Sequence, residues 1–294
     1  MRIATHNGRF HIDELFGIAA VMLAHPGKHE VVRTRDMEVV TSADVVIDVG
    51  GIHEPLRNRF DHHQEGGAGL RENGIPYSSF GLVWQKFGEQ LSGSKDSAMI
   101  IDKKIVEPID AVDNGVDIVA PLIPGVYPYL INALTGAMMP TWKEPARNLD
   151  KAFKQTLEIV RKLLEREIAH AKDFVDGQKI VRDFYDQSPD KKIIEIDGPY
   201  PWGEVLATKP EPLFVIYPER QGNGFRVQAV RDAQNSFINR KDFPLSWAGK
   251  TGAGLAEASG VPDALFCHNK RWVVAAKSLE GARALAKLAI ETKE

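Results

Sequence analysis

Residues 1–120 alternate between strand-like and helix-like segments, and this alternation constrains the fold more than any other feature of the sequence. Residues 30–35 alternate in polarity and residues 43–49 form a short β-branched run, as strands do. Residues 13–24 and 78–91 carry apolar side chains at helical spacing. Strands that alternate with helices in this way predict an α/β fold built on a doubly wound parallel sheet.

A second region follows a long helix that the apolar spacing predicts over 149–175. Beyond it the pattern changes to short strands, separated by turns that contain proline and glycine, and then to a final helix. The predicted strands cover 191–196, 213–217, 224–231, 264–268 and 271–276, and the final helix covers 279–292. We therefore predict two domains, a doubly wound domain over 1–185 and a smaller α+β domain over 186–294.

The composition excludes several classes of protein. A formal net charge of -3 gives no overall basic field of the kind that marks many nucleic-acid-binding proteins, although a local basic patch stays open. The single cysteine, Cys267, excludes an internal disulfide framework and a cysteine-rich metal site. No apolar run approaches the roughly 20 residues that span a bilayer, and the N-terminus has no secretory pattern. A cytoplasmic location, with no membrane partner, is therefore the expectation.

Histidine is concentrated near the start of the chain, since seven of the nine histidines fall in residues 1–63. Imidazole is the commonest metal ligand among side chains. His6, His11 and Asp13 lie between a predicted strand and a predicted helix, and such loops meet at the ligand-binding edge of a parallel sheet. The alternative for this segment is a polar loop in which Asp13 caps the helix.

Two further clusters follow at strand ends. Asp48 ends a buried β-branched run, where a carboxylate is costly unless a metal ion or a backbone NH pairs with it. Asp61, His62 and His63 are three consecutive groups that can bind metal ions or protons. A structural role is the alternative for each, but it is less attractive for three such groups in a row.

The fourth cluster is DAVDNG, in which Asp110 and Asp113 share one face of a helix that Gly115 ends. Solvated acids are the alternative, and the spacing leaves open which of the two would bind a metal. Taken together, mixed histidine and carboxylate ligands favour a pair of Mn²⁺-like ions, with Mg²⁺ as the alternative. Two such ions about 4 Å apart activate a water and stabilise a phosphoryl centre.

The segments HNGRFHIDE, VIDVGG, FDHHQ and DAVDNG, in that order, resemble the four motifs of the DHH phosphoesterase superfamily. Within that superfamily the chain resembles the melanocyte-proliferating-gene family, labelled metal-dependent protein hydrolases and regarded as 3′-to-5′ RNA exonucleases. Four more segments carry this resemblance, so that it covers nearly the whole chain: IPYSSFGLVWQKFG, PYPWGEVL, FRVQAV and SGVPDALFCH.

The resemblance implies a role for each motif residue. The implied metal ligands are His6, His11, Asp13, Asp48 as the bridging ligand, His62 and Asp113. His63 resembles a residue that contacts the phosphate or protonates the leaving group, and we take Asp61 with it as catalytic. His11 stands where related enzymes usually carry aspartate, and the first motif is one residue longer than the commoner His-x3-Asp-x-Asp spacing.

The second domain of this superfamily usually carries a glycine-rich, basic segment that binds substrate, but this chain lacks a clear GGGH sequence. The candidates for binding the substrate backbone are Arg226, Arg240, Lys241 and His268, with Arg220, Gly222, Gly224 and Arg231 nearby. A solvated basic face is an equal alternative. Trp202, Trp247 and Trp272 are candidates for stacking on bases, although burial in the core is the more common role of tryptophan.

The sequence thus favours a metal-dependent phosphodiesterase, a 3′-to-5′ exonuclease on RNA or short oligonucleotides. One alternative is a small-molecule phosphohydrolase, such as a pyrophosphatase or a cyclic dinucleotide phosphodiesterase, because the mildly acidic isoelectric point of about 6.3 suits a small anion as well as a polymer. Another is a metal-binding protein without catalysis. The oligomeric state stays open, and a homo-oligomer is compatible with the sequence.

Overall fold

The computed structural model describes residues 1–144, 148–219, 222 and 224–293. The chain divides into two compact units, Met1–Asp173 and Phe174–Glu294, which we call unit 1 and unit 2. The sequence places the boundary at residue 185, and this division falls 12 residues earlier in the same long helix, Leu149–Gln187.

Unit 1 is built on a sheet with strand order β2-β1-β3-β5-β4. Its strands are β1 (Arg2–Thr5), β2 (Glu30–Arg33), β3 (Val45–Ile47), β4 (His53–Glu54) and β5 (Arg59–Phe60). Its helices are α1 (Ile12–Ala24), α2 (Met37–Ser42), α3 (Ser79–Ser92), α4 (Lys95–Ile101), α5 (Glu107–Asp113) and α6 (Ala133–Met138), and α7 (Leu149–Gln187) continues into unit 2. β4 alone among these strands runs antiparallel to its neighbour.

Helices cover both faces of this sheet. Successive strand residues point to opposite faces, so Ile3 packs into the core formed by α1 and α3, while Ala4 packs with Val40 of α2. The structure therefore has the α/β architecture that the sequence predicts, with a parallel sheet wound on both sides.

The strand order also locates a binding edge. β1 lies between β2 and β3, so the connections that leave β1 and β3 diverge and open a crevice at the carboxyl ends of these strands. The segments that follow β1, β3 and β5 carry the histidines and carboxylates of the first three sequence motifs. The fold thus brings together, at one edge, residues that are far apart in the sequence.

One predicted helix differs from its expected form. The sequence predicts a single helix over 99–112 with a kink at Pro108, and the structure has α4 and α5 joined by a π-helical segment, Asp102–Val106. Proline donates no backbone hydrogen bond and its ring crowds the preceding turn, so a wider turn before Pro108 relieves this conflict.

Unit 2 is an α+β unit with strand order β6-β7-β8-β10-β9. Its strands are β6 (Ile193–Glu195), β7 (Phe214–Pro218), β8 (Phe225–Ala229), β9 (Ala264–Cys267) and β10 (Val273–Ala276), and its helices are α8 (Trp202–Ala207), α9 (Gly252–Ser259) and α10 (Leu279–Glu291). β6 and β7 are parallel, and the remaining pairs are antiparallel. One apolar cluster of this unit includes Phe214 stacked on Phe243 with ring centroids 4.7 Å apart.

Among the described residues, no helix combines the length and the apolar character that a bilayer crossing requires.

The start of β8 supplies a test of the packing in unit 2. Gly224 has a φ of +130°, and a Cβ there would clash with the carbonyl oxygen of Ala276. We expect Gly224→Ala to lower the free energy of unfolding by about 1–3 kcal/mol, measured by urea denaturation. Gly254→Ala is the control, since a Cβ in that exposed part of α9 meets nothing within 4 Å. Equal denaturation midpoints for the two variants would contradict this packing.

Candidate metal centre

The loop after β1 presents His6 to the crevice. The Nδ1 of His6 is 3.0 Å from the carbonyl oxygen of Asn7, which only accepts, so Nδ1 carries a proton. The other ring nitrogen, Nε2, lies 2.5 Å from Glu14 and 3.3 Å from Asp48. Burial acts to lower the pKa of His6, but the hydrogen bonds to Asp48 and Glu14 raise it to about 10. His6 is thus oriented as metal-ligating histidines are, with Nε2 toward the carboxylates.

Arg33 at the end of β2 holds this loop in place. Its guanidinium donates to the carbonyl oxygen of Gly8 and to Asp150, at 2.6 Å in both cases. The same group lies over the ring of Phe153, with Cζ 4.6 Å from the centroid. The Arg33 side chain is only 5% exposed, whereas its partner Asp150 is 67% exposed, so the ion pair lies at the edge of the solvent. No sequence motif identified Arg33, because its partners lie far away in the chain.

The first turn of α1 carries two fully buried carboxylates, Asp13 and Glu14. No described residue donates a hydrogen bond to either oxygen of Asp13. Burial, and then the nearby charge of Asp48, raises the pKa of Asp13 well above its usual range. Burial also raises the pKa of Glu14, to about 7, although the hydrogen bond with His6 acts to lower it. A buried carboxylate without a donor, such as Asp13, is what a metal cation would satisfy, and Glu14 beside it adds a second buried carboxylate, so these residues fit such an ion.

Asp48 lies at the centre of the crevice. It adopts a φ of 58°, a left-handed conformation that aspartate tolerates better than most residues, directly after β3. Its oxygens lie 3.4 Å from His62 Nε2 and 3.4 Å from His63 Nδ1, and Oδ1 accepts a hydrogen bond of 3.0 Å from Ser79. Burial opposes ionisation, but the hydrogen bonds with His6 and His62 hold the pKa of Asp48 well below its usual range.

Asp61 acts on the site through its neighbours. One oxygen accepts the backbone NH of Gly51 at 2.6 Å, and the other lies 2.8 Å from His63 Nδ1. Burial opposes ionisation of Asp61, but the hydrogen bonds with His63 and Gly51 lower its pKa. An ionised carboxylate only accepts, so His63 donates through Nδ1 and keeps Nε2 for another partner. Asp61 is therefore a positioning residue for His63, whose side chain is 60% exposed.

The two aspartates of α5 have different surroundings. Asp110 is fully buried and accepts hydrogen bonds from Arg71 Nε at 2.7 Å and from the Ser78 hydroxyl at 2.6 Å. These contacts hold α5 against the start of α3, so Asp110 has a structural role. Asp113 has an oxygen 3.4 Å from His62 Nε2, and burial raises the pKa of its carboxyl. The structure thus brings Asp113, and not Asp110, to the histidines.

The candidate ligands form overlapping groups whose donor atoms lie within 4.8 Å of one another. The groups are His6, His11, Glu14 and Asp48; Asp48, His62 and His63; and His11, Asp13 and Asp113. Asp48 and His11 each belong to two groups, as residues shared between neighbouring cations do. Every metal ligand predicted from the sequence lies in this cluster. Glu14 is the member that the sequence analysis missed, although its position directly after Asp13 in a first helical turn pointed to it.

The cluster opens into a cavity of about 310 Å³. His11, His62, His63 and Asp113 line it on one side, together with Asn132 and Thr135 from the segment around α6. Solvent and substrate therefore have access to the same histidines that face Asp48. If the carboxylates and histidines held divalent cations, these cations would polarise a bound group for hydrolysis.

The predicted substrate-binding cations of unit 2 are mostly engaged in the fold. Arg240 donates to the carbonyl oxygens of Ala207 and Pro212, among others, and Lys241 donates to Thr292 at 2.6 Å. These hydrogen bonds give both cations a structural role in unit 2, and their predicted role in binding substrate stays a prediction.

Arg226 and His268 remain at the surface of unit 2. Arg226 is paired with Glu219 at 2.7 Å, and the ring of His268 packs against Trp272 with centroids 5.1 Å apart. Among the other candidates, Arg220 lies outside the described residues. Trp247 is buried in the core, whereas Trp202 and Trp272 each line a surface cavity.

Fold and site together define the class of the protein. It is an α/β protein of the hydrolase type, with a histidine–carboxylate centre in the crevice at the carboxyl ends of β1 and β3. The chain belongs to the MYG1 exonuclease family, whose model, described as "Uncharacterised protein family (UPF0160)", matches residues 2–290. This membership supports a hydrolase of the nuclease type.

Relatives of similar length extend across eukaryotes. The human (Homo sapiens) protein named MYG1 exonuclease is 32% identical over 319 residues, which cover 97% of this chain and 85% of that protein. MYG1 protein C27H6.8 of Caenorhabditis elegans is 28% identical, over 99% of this chain and 96% of that protein. The crystal structure of RecJ in complex with Mg2+ from Thermus thermophilus matches 99% of this chain and 50% of that chain, at 13% identity and a TM-score of 0.29. A TM-score this low does not establish a common fold.

A matched pair of variants on α5 tests the different surroundings of its aspartates. Asp110→Ala leaves Arg71 and Ser78 without their partner, so we expect it to lower the free energy of unfolding by about 3–5 kcal/mol. Asp113→Ala removes a carboxylate that burial disfavours, so we expect little loss of stability but at least about a 10-fold weaker Mn²⁺ affinity. Thermal denaturation and calorimetric titration measure the two effects. The reverse pattern would contradict these assignments.

Metal binding should be coupled to proton release. The pKa of His6 is about 10 and that of Glu14 about 7, so at neutral pH His6 holds a proton that a cation must displace. Raising the pH removes this competition, and we therefore expect Mn²⁺ affinity to increase from pH 6 upward. Titration calorimetry in buffers of different ionisation enthalpy measures the protons released. The control is His170→Gln, at an exposed position of α7, which should leave the number of released protons unchanged. A Mn²⁺ affinity that does not depend on pH would contradict the coupling.

Proposed function

We propose that this chain is a metal-dependent phosphodiesterase of the DHH superfamily, a 3′-to-5′ exonuclease on RNA or short oligonucleotides. The observation that carries the proposal is the sharing of Asp48 between two groups of candidate ligands. A carboxylate shared in this way suits two adjacent divalent cations, as phosphoester hydrolysis often requires. The exonuclease names of the relatives support the same activity.

The donor set favours Mn²⁺ over Ca²⁺ or structural Zn²⁺. The histidines supply nitrogen, which Ca²⁺ does not favour, and none of the grouped residues is a cysteine. Mg²⁺ is the alternative, because the cluster also contains carboxylates. Bound cations would supply an activated water and would stabilise the charge that develops on the phosphate.

The chain itself supplies a candidate acid for the leaving oxygen. Asp61 fixes the ring of His63 through Nδ1, and the hydrogen bond with Asp61 is the main cause that raises the pKa of His63. A protonated His63 therefore has Nε2 available to donate to the departing 3′ oxygen of the preceding nucleotide. The exposure of His63 at the cavity is compatible with this role, while His6 and Glu14 are too deeply buried for it.

The activity can be tested with a single-stranded RNA that carries a 5′ label. In the presence of Mn²⁺ we expect progressive shortening from the 3′ end, and loss of this activity when the metal is removed with a chelator. Asp48→Asn should reduce the rate by more than about 100-fold, because it weakens both ligand groups. Asp173→Asn, at an exposed position of α7, is the control and should retain full activity.

Three outcomes separate the parts of the proposal. The absence of metal-dependent cleavage in the unaltered chain would overturn the enzymatic function. Immediate release of the labelled 5′ nucleotide would show the opposite polarity. Hydrolysis of pyrophosphate or of a cyclic dinucleotide, without cleavage of RNA, would favour the small-molecule alternative.

A further inference from the structure

A separate cleft of about 430 Å³ lies in unit 2, and we call it the Phe237 cleft. Its volume is within the usual range for a ligand pocket. Its lining residues are Gln228, Ala229, Arg231, Phe237, Asn239, Lys270 and Trp272.

The backbone holds the two sides of this cleft in register. Arg231 and Asn239 form an antiparallel bridge, and the NH of Asp232 donates to the carbonyl oxygen of Ile238 at 3.0 Å. The segment between them is therefore a closed loop that carries Phe237. On the other side, the carbonyl oxygen of Trp272 accepts the NH of Ala229 at 2.9 Å. The aromatic side chains are thus attached to ordered backbone.

The apolar ring of Phe237 lies at the surface, where contact with water is unfavourable. It is 86% exposed, and the guanidinium of Arg231 lies over its ring, with Cζ 4.7 Å from the centroid. An exposed phenyl ring with a planar cation over it resembles the platforms on which nucleobases stack. Trp272 adds a second aromatic surface to the same lining.

The charge of the lining favours an anionic ligand. Arg231 and Lys270 are its charged members, and no carboxylate belongs to it. Among the described residues, neither cation forms an ion pair. This concentration of positive charge contrasts with the formal net charge of -3 of the chain. A phosphate group would therefore find uncompensated cations here.

Two amide side chains add polarity to the cleft. The carbonyl oxygen of Gln228 accepts a hydrogen bond of 2.7 Å from the Tyr217 hydroxyl, so its NH₂ group is turned toward other partners. Asn239 donates through its NH₂ group to Asp242 at 2.7 Å, which leaves its side-chain oxygen as an acceptor. One donor and one acceptor beside an aromatic platform suit the edge of a base.

We propose that the Phe237 cleft is a stacking site for a nucleobase of single-stranded RNA, with Lys270 and Arg231 near its phosphates. This inference rests on the proposed exonuclease function, of which it specifies a substrate contact outside the metal centre. A peptide is a less suitable occupant, because two unpaired cations beside a flat ring favour a phosphate attached to a planar base.

Binding of a fluorescently labelled single-stranded oligoadenylate, measured by anisotropy in the presence of a chelator, tests the site without cleavage. Phe237→Ala should weaken binding about 5- to 150-fold, the effect of losing one stacked base. Phe237→Trp should retain binding, whereas Phe237→Leu keeps apolar bulk without a stacking face and should behave like Phe237→Ala. Leu56→Ala is the control in unit 1, since Leu56 is 97% exposed.

The cations have a different expected effect. Lys270→Gln should weaken binding and reduce the slope of log affinity against log salt by about 0.7, the value for one phosphate contact on a single strand. If Phe237→Ala and Phe237→Leu bind RNA as tightly as the unaltered chain, the inference is wrong, and a peptide becomes the occupant to test. If these variants still cleave RNA and bind it as tightly as before, the stacking site is wrong and the proposed exonuclease function stands. If binding depends on Phe237 but no RNA is cleaved, the stacking site stands and the proposed exonuclease function is wrong.

Discussion

The crowding of buried carboxylates at one edge of a parallel sheet is the constraint on which the rest of unit 1 depends. Asp13, Glu14 and Asp48 are buried within reach of one another, and Asp113 completes the cluster. Like charges at this separation raise one another's pKa, and burial adds to the effect. Protonation of some of these carboxyls, a protonated histidine or a bound metal ion each relieves this negative charge. The arrangement therefore favours metal binding at some cost in stability to the metal-free fold.

The surrounding scaffold fixes these groups through two arginines whose side chains are largely buried. Arg33 ties the loop of His6 to α7, and Arg71 with Asp110 braces α5, which carries Asp113. The N-terminus of α1 favours negative charge in its first turn, where Asp13 and Glu14 lie. Three separate structural devices thus hold the loop of His6, the first turn of α1 and the helix that carries Asp113, so the ligands can remain close despite their repulsion.

The fold class and the metal cluster could be predicted from the sequence because both have local patterns. Alternating strands and helices place loop residues at one sheet edge, and the motif residues lie in those loops. The resemblance implied Asp113 rather than Asp110, but the helical spacing alone left both open, because the partner that engages Asp110 is Arg71, which is distant in sequence. Glu14 lacked a partner until the fold brought His6 beside it. Arg240 and Lys241 looked available for phosphate because sequence does not reveal which backbone carbonyls a cation reaches.

The two candidate sites differ in the charge that they present to a polyanion. Without cations, the carboxylates of unit 1 would repel a phosphate, so attraction to that centre depends on metal. The Phe237 cleft in unit 2 has positive charge and an aromatic platform that need no metal. Metal removal should therefore separate cleavage from binding, because only the first requires the ligand cluster. Binding of a strand at the Phe237 cleft should therefore persist when metal is exchanged or lost, provided that stacking on Phe237 contributes as much affinity as base stacking usually does.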